Sequence, residues 1–218
     1  MIQHVYERVC ESRIIERVIV ATDDERISDV VRGFGGEAVI TSLSHSTGSE
    51  RVAEVVQSID CKFVVNIQGD EPLIKPEIID EITLALVTGN DIEMSTGAHQ
   101  IFDEEMFHDP NSVKVVTDNK GFALYFSRSL IPYPRDSKTL EVFEHIGIYA
   151  FRKEFLLKFV QFEDTPLSLT ESLEQLKVLE NGFKIKVVEI KHDYKAVSVD
   201  TEDDLNEVRR IVKAQSNS

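Results

Sequence analysis

Two stretches of the sequence end on carboxylates in a pattern that suits a metal ion. The stretch FVVNIQGDEPLI (residues 63–74) starts as an apolar run, breaks at Gly69 and then sets two acids side by side. The stretch KAVSVDTEDDL (residues 195–205) likewise runs from an apolar strand pattern into a helical one. Ligands of an open parallel sheet bind beyond the carboxyl ends of its strands, and Mg²⁺ takes one or two carboxylates there, with water and phosphate as further ligands. We therefore expect Asp70 and Asp200 to hold a magnesium ion.

Both acids also have an ordinary structural explanation. Gly-Asp-Glu-Pro is a common turn sequence, so Asp70 could simply serve a loop. Thr201 and Asp204 fit a capping box at a helix start, and Asp200 could merely precede that cap. Neither stretch is decisive alone.

The second half of the chain carries polar side chains that could bind a polar ligand. In EHIGIYAF (residues 144–151), strand alternation puts His145, Gly147 and Tyr149 on one face, with an open floor between an imidazole and a phenol. Arg128, at the end of the predicted strand FALYFSR, could bind a carboxylate bidentately. Each residue also has a commoner role, as a core histidine, an edge tyrosine or a surface arginine.

The stretch SLTESLEQLKVLE (residues 168–180) is predicted to form a single helix that ends at the following Asn-Gly pair. One of its faces is an apolar stripe of three leucines, Leu169, Leu173 and Leu176. On another face, Glu174 and Gln175 could exchange hydrogen bonds with sugar hydroxyl groups. Such a face is more often simply solvated.

These side chains must be positioned by strands that alternate with helices. The apolar runs RVIVA, EAVIT and FVVNI alternate with helical patterns, which favours a parallel sheet covered on both faces. After residue 90, strand-like runs follow one another without long helices, which predicts an antiparallel extension. Asp23 and Asp24 suit one helix start, and Ser49 is the predicted cap of the next helix.

The composition is that of an acidic globular chain. Of its 218 residues, 42% are hydrophobic, which is enough for a core, and the formal charge of −15 argues against a nucleic-acid partner. No apolar run reaches membrane-spanning length and residues 1–15 do not look like a signal peptide, so we expect a soluble, cytoplasmic protein without a membrane partner. Cys10 and Cys61 form no metal motif. Neither GxGxxG nor GxxxxGK[ST] occurs.

Taken in order, these stretches resemble one family. The chain is similar to the 3-deoxy-manno-octulosonate (Kdo) cytidylyltransferases, the CMP-Kdo synthetases of lipopolysaccharide assembly, in VIVATDDERI, HSTGSERVAEVV, VVNIQGDEPLI, PNSVKVV, ALYFSRSLIP, HIGIYAFR, LEQLKVLE and VDTEDDL. The resemblance spans essentially all of residues 1–218 and implies a single cytidylyltransferase domain. It implies a Rossmann-like nucleotidyltransferase α/β fold, with a mostly parallel sheet, helices on both faces and a small antiparallel extension. It also implies a homodimer and Mg²⁺.

The implied reaction converts CTP and Kdo into CMP-Kdo and pyrophosphate. Carried over position by position, Asp70 and Asp200 resemble the metal carboxylates, and Gln68 with the Gly48–Ser49 turn resembles part of the cytidine pocket. The implied sugar site consists of Arg128, His145, Tyr149, Glu174 and Gln175.

The resemblance begins just after the family's first strand and basic phosphate-binding loop. We therefore expect an N-terminally truncated chain in which the strand RVIVA or FVVNI has an unpaired edge. One alternative is an inactive or weakened remnant that binds sugar or dimerises without turnover. Another is a cytidylyltransferase for a different acidic sugar such as sialic acid, against which the stretches HIGIY and LEQL argue.

Overall fold

The computed structural model describes residues 1–191, 198–199 and 201–215. They pack as two compact units. The first unit holds residues 1–55, 67–80 and the described residues from 198 onward, and the second holds residues 56–66 and 81–191. The single cytidylyltransferase domain over residues 1–218 stays a prediction.

The first unit is built from helices around a two-stranded parallel sheet. Its elements are α1 (Ile2–Cys10), β1 (Val20–Thr22), α2 (Glu25–Gly33), β2 (Ala38–Ile40), most of α3 (Gly48–Gln57), the start of α4 (Pro76–Thr88) and α9 (Glu202–Gln215). Strands β1 and β2 pair in parallel, and α2 packs on both of them. Helix α1 buries Val5 and Val9.

Two helix starts in this unit test the predicted caps. Asp24 caps α2 as predicted, because its Oδ1 accepts a hydrogen bond of 2.8 Å from the Arg26 N–H. Ser49 is not the cap of α3, and this prediction was wrong. The helix begins one residue earlier, and the Thr47 hydroxyl accepts from the Glu50 N–H at 3.2 Å, while the Glu50 carboxylate accepts from the Thr47 N–H. Threonine and glutamate three residues apart form a capping box, which leaves Ser49 inside the helix.

The second unit is a mixed sheet with short helices. Its strands are β3 (Phe63–Asn66), β4 (Met94–Ile101), β5 (Lys114–Thr117), β6 (Ala123–Ser127), β7 (Val142–Arg152) and β8 (Ile185–Glu189). Its helices are α5 (Glu104–His108), α6 (Lys153–Phe159), α7 (Pro166–Glu171) and α8 (Leu176–Glu180), beside the end of α4.

Strand β7 is the centre of this sheet. The strand order is β6-β5-β7-β4-β8, and β3 pairs with the far end of β7. Strands β3, β4 and β5 all pair antiparallel to β7, and β8 pairs parallel to β4. Four strands therefore point the same way, whereas β7 and β6 run opposite, which agrees with an α/β sheet that has an antiparallel extension.

The pairing of β4 with β7 contains a bulge. Thr96 lies opposite Tyr149, but the next residue, Gly97, lies opposite Ile146, so two residues of β7 have no counterpart in β4. A bulge releases backbone groups from the ladder and bends the strand. The polar residues of β7 described below lie on either side of it.

The predicted long helix over residues 168–180 is broken, so this prediction was wrong. Helix α7 ends at Ser172, which adopts a left-handed conformation with φ of 52°, and α8 starts only at Leu176. A left-handed residue stops a helix because it turns the following N–H away from the helix axis. The break separates the predicted leucine stripe: Leu173 and Leu176 are buried, but Leu169 is 63% exposed.

The expected unpaired strand edges stay a prediction, because the neighbours of β1 and β3 are known only within the described part of the chain. There β1 pairs only with β2, and β3 pairs only with β7. The predicted strand KAVSV falls largely outside the described residues. No helix among the described residues is both long enough and apolar enough to cross a membrane.

Candidate active site

Asp70 lies in a tight turn four residues beyond β3, as the sequence predicted. Its carboxylate is half-buried and accepts a hydrogen bond of 3.1 Å from the Ser198 hydroxyl, while its carbonyl accepts from the Val199 N–H at 3.0 Å. The described residues contain no ion pair to Asp70 and no group of three potential metal ligands. The Asp70 carboxylate could therefore bind a cation. The segment that contacts Asp70 immediately precedes Asp200 in the sequence.

Asp200 itself lies outside the described residues, so the metal pair stays a prediction. The alternative that the sequence left open is partly confirmed, because Thr201 and Asp204 form the predicted capping box. The Asp204 carboxylate accepts from the Thr201 N–H at 2.8 Å, and the Thr201 hydroxyl accepts from the Asp204 N–H at 3.2 Å.

The residues assigned to cytidine lie in the first unit. Gln68 is half-buried and its carbonyl accepts the Glu71 N–H at 3.4 Å, so it closes the turn that carries Asp70. Gly48 is exposed at the first turn of α3, whereas Ser49 is fully buried. The accessible part of the Gly48–Ser49 turn is therefore its main chain, not the serine side chain.

The loop before α3 is ordered by acids of that helix. Glu54 accepts from the Ser42 N–H at 3.0 Å and also bonds His45, and these two contacts lower the pKa of its carboxyl. Arg51 makes an ion pair of 2.8 Å with Asp23 and donates to the Thr41 hydroxyl. These contacts connect the loop to β1 and β2, which gives the exposed Gly48 a fixed support.

In the second unit, His145 and Tyr149 come together as strand alternation predicted. Their ring centroids lie 5.4 Å apart, and the Phe126 ring meets His145 edge-on at 5.0 Å. The imidazole Nε2 lies 2.9 Å from the Thr96 hydroxyl on the neighbouring strand. Burial lowers the pKa of the His145 imidazole to about 3, so the ring is neutral at physiological pH.

Tyr149 is more enclosed than the sequence suggested. The residue is only 6% exposed and its ring lies between those of His145 and Phe151. Tyr149 therefore packs against His145 in the interior. The structure supports a direct ligand contact by Tyr149 less than one by His145.

Arg128 supports the turn at the end of α7. Its Nε donates to the Glu171 carbonyl at 2.7 Å, one terminal nitrogen donates to the Pro110 carbonyl at 2.8 Å, and the other lies 3.4 Å from the Ser172 carbonyl. The unpaired carbonyl groups at a helix C-terminus attract a cation. These three bonds use three of the five N–H donors of the guanidinium, so one N–H on each terminal nitrogen remains for a carboxylate as predicted.

Glu171 anchors the other side of the same turn. Its carboxylate accepts from the Ser127 hydroxyl at 2.6 Å and from the Arg128 N–H at 2.9 Å. Burial would raise the pKa of this carboxyl, but these hydrogen bonds and the Arg128 charge bring the pKa below its ordinary value. Nearby, the fully buried Lys114 donates to the Asp109 and Ser112 carbonyl groups, and burial lowers the pKa of its ammonium.

Glu174 and Gln175 lie in the break between α7 and α8. Glu174 is half-buried, and Gln175 is only 2% exposed. Among the described residues, nothing hydrogen-bonds the Gln175 side-chain nitrogen Nε2. A buried amide donor without a protein partner costs free energy unless a ligand or water accepts from it, which fits the predicted role of Gln175 in ligand binding.

The five residues predicted to bind the sugar thus form separate groups, and contacts in the structure connect some of these groups. His145 and Tyr149 form one group, Arg128 contacts the turn before Gln175, and Phe126 connects His145 to the strand before Arg128. Convergence of all five on one pocket stays a prediction. Thr96 could not be found from the sequence because it belongs to no recognisable motif, and the pattern of residues 168–180 placed Glu171 only on the polar face of a helix, beside Glu174 and Gln175.

Comparisons with known proteins agree on the class of protein. A family model described as cytidylyltransferase matches residues 1–187. A 3-deoxy-manno-octulosonate cytidylyltransferase from Geotalea daltonii is 49% identical over 224 residues, which cover 98% of this chain and 88% of the relative. The chain belongs to the 3-deoxy-manno-octulosonate cytidylyltransferase family.

Members from other bacteria and solved structures are consistent with this assignment. A family member from Fusobacterium nucleatum is 44% identical, and the match covers 98% of this chain and 86% of the relative. A solved CMP:2-keto-3-deoxy-manno-octonic acid synthetase complexed with CTP superposes with a TM-score of 0.93 at 36% identity, covering 98% of this chain and 88% of that one. A Leptospira borgpetersenii cytidylyltransferase, with a TM-score of 0.62 at 15% identity, shares the fold. The chain is therefore a nucleotidyltransferase of this family, with the predicted nucleotidyltransferase fold.

Proposed function

We propose that this protein transfers the CMP group of CTP to Kdo, which gives CMP-Kdo and pyrophosphate for lipopolysaccharide biosynthesis in the cytoplasm. The observation that carries the proposal is the match to cytidylyltransferases of this name over 98% of the chain. The buried side-chain nitrogen Nε2 of Gln175, which no described residue hydrogen-bonds, supports it, since a polar acid sugar offers hydroxyl and carboxylate oxygens as acceptors.

In the proposed reaction, the anomeric oxygen of Kdo bonds the α-phosphorus of CTP while the bond from that phosphorus to the pyrophosphate oxygen breaks. The chain contributes mainly by binding and orienting its substrates. We assign Gln68 and the main chain at Gly48–Ser49 to the cytidine side. Arg128, His145, Glu174 and Gln175 are assigned to the sugar side, with Tyr149 behind His145.

We further propose that Asp70 and Asp200 hold Mg²⁺. The half-buried Asp70 carboxylate fits this role, since its oxygens are hard ligands and no cationic side chain of the described residues neutralises it. When bound, Mg²⁺ would supply positive charge for the phosphate oxygens and for the leaving pyrophosphate.

The homodimer also belongs to the proposal. Two leucines of the second unit, Leu124 on β6 and Leu169 on α7, are each 63% exposed. Single exposed leucines are ordinary on a protein surface, so these two mark positions at which a partner can be tested. A second copy of the chain is the partner that the family resemblance implies.

The test is a pyrophosphate-release assay on residues 1–218 with CTP, Mg²⁺ and one sugar at a time. We expect release with Kdo, and release at background rate with the sialic acid N-acetylneuraminate. Turnover of the sialic acid would contradict the choice of sugar. Background rates with both sugars, from a folded protein, would favour the inactive remnant.

A further inference from the structure

The hydroxyl group of Thr96 is surrounded by three polar atoms of β7. It lies 2.7 Å from the Ile148 carbonyl, 3.0 Å from the Ile146 carbonyl and 2.9 Å from Nε2 of His145. Thr96 is fully buried, so water does not compete for these contacts. The bulge leaves Gly147 and Ile148 without counterparts in β4, and at this point the Ile146 and Ile148 carbonyl groups both lie against one hydroxyl.

These three contacts determine which way each hydrogen bond runs. A carbonyl oxygen only accepts, and a threonine hydroxyl has one hydrogen to donate. That hydrogen must point to the carbonyl groups, because otherwise two buried oxygen–oxygen contacts of 3.0 Å or less would have no proton between them. The hydroxyl therefore offers a lone pair to His145, and Nε2 must carry the proton of a neutral imidazole.

We propose that Thr96 is a positioning residue that fixes His145 as the Nε2–H tautomer, so that His145 presents Nδ1 as an acceptor for a hydroxyl group of the sugar. A neutral imidazole with one proton has one donor and one acceptor nitrogen. No described residue hydrogen-bonds Nδ1, and His145 as a whole residue is only half-buried. The neutral state of the ring, described above, agrees with this arrangement.

The assignment limits what His145 can recognise. An acceptor nitrogen repels a carboxylate oxygen, so His145 reads a hydroxyl group, and the carboxylate of the sugar acid must meet a donor elsewhere. Nε2 of Gln175, which has no hydrogen-bond partner among the described residues, is such a donor. This inference rests on the proposed function only for the identity of the ligand; the tautomer follows from contacts within the second unit.

The first test reads the tautomer directly in the full chain. Nitrogen-15 NMR of labelled protein distinguishes the two nitrogens of a neutral imidazole, and the His145→Gln variant identifies the His145 signals. We expect a protonated Nε2 and an unprotonated Nδ1 at neutral pH without substrate. A protonated Nδ1, or an imidazolium, would overturn the inference whether or not the protein turns over Kdo.

The second test separates positioning from simple structural support. Thr96→Val keeps the shape of the side chain but removes the hydroxyl, and Thr96→Ser keeps the hydroxyl. In the valine variant we expect mixed tautomers and a KM for Kdo raised about tenfold, with the KM for CTP changed less than about twofold. In the serine variant we expect the wild-type tautomer and a KM for Kdo close to that of the wild type.

The outcomes of this test remain decisive in each case. A valine variant that keeps a pure Nε2–H tautomer and the wild-type KM for Kdo would refute the role of Thr96, and so would equal rises in both KM values. If the valine variant does not fold, the tautomers of the wild type and of the serine variant decide. If the wild type turns over no sugar, the proposed function fails, but the NMR result still decides the tautomer.

Discussion

At the scale of single residues, the sequence predicted which side chains share a face of a strand more reliably than it predicted which residues those side chains contact. Strand alternation correctly paired His145 with Tyr149, because both lie on one strand and their spacing alone sets their face. It could not identify Thr96, whose contact to His145 spans 49 residues of sequence. It also could not foresee that the Arg128 guanidinium bonds three carbonyl groups, since these belong to segments that only the fold brings together.

The prediction at the scale of single residues concerns the effect of replacing Asp70 on turnover. Asp70→Asn preserves the shape of the side chain and its contact to Ser198, but it removes the negative charge that would bind Mg²⁺. We expect kcat to fall by about two orders of magnitude or more, because the transition state loses charge stabilisation. Pyrophosphate release measured across a Mg²⁺ titration checks this.

A matched control makes this result specific. Asp91→Asn is the same chemical change at an exposed position, and we expect wild-type turnover from it. An Asp70→Asn protein with near-wild-type kcat and unchanged Mg²⁺ dependence would remove Asp70 from the metal site.

At the scale of elements, strand and helix types were predictable, whereas breaks and bulges were not. The runs that became β4, β5 and β6 carry the apolar and β-branched residues that favour strands. The break at Ser172 has no glycine or proline to mark it, and it forms where Arg128 donates hydrogen bonds to the carbonyl and the carboxylate of Glu171, the last residue of α7. Tertiary contacts therefore overrode a good helical pattern in this segment.

The contact between β6 and α7 predicts how stability depends on pH. Hydrogen bonds from Ser127 and Arg128 outweigh the effect of burial, so the Glu171 carboxyl has a folded pKa below its ordinary value of 4.5. A lowered carboxyl pKa stabilises the fold above the unfolded pKa, and this contribution is lost as the pH falls below it. We expect Glu171→Gln to be less stable at neutral pH and to lose less stability below about pH 4.5.

Urea unfolding at a series of pH values from neutral to acidic measures this difference. Glu163→Gln, which removes an exposed acid from the same unit, is the matched control and should follow the wild-type pH dependence. Parallel curves for the wild type and Glu171→Gln would mean that the carboxylate contributes nothing specific to the contact.

At the scale of the whole molecule, the fold class followed from the alternation of strands and helices, but the strand order did not. The sequence cannot reveal that β7, late in the chain, lies between β5 and β4 and also receives β3, because strand order depends on long-range pairing. The ordered set of eight stretches made the family recognisable, and the comparisons confirmed it over nearly the full chain.

The prediction at this scale concerns the proposed homodimer. We expect the wild type to sediment at twice the mass of one chain, and Leu124→Glu to shift the equilibrium toward the monomer, because a charge opposes burial of that position. Leu43→Glu is the control, since Leu43 is 83% exposed in the first unit. A monomeric wild type at micromolar concentration would contradict the dimer, and an unaffected Leu124→Glu dimer would exclude β6 from its interface.

The bulge between β4 and β7 limits how this part of the gene can evolve. Because side chains alternate between the two faces of a strand, losing or gaining one residue at Gly147 or Ile148 would turn either His145 or Tyr149 to the opposite face. Single-residue insertions and deletions here should therefore be eliminated by selection, even where the composition of the strand stays acceptable. We therefore expect sequence drift in this segment to be confined to substitutions, and libraries meant to change the sugar preference should keep the length of β7 fixed.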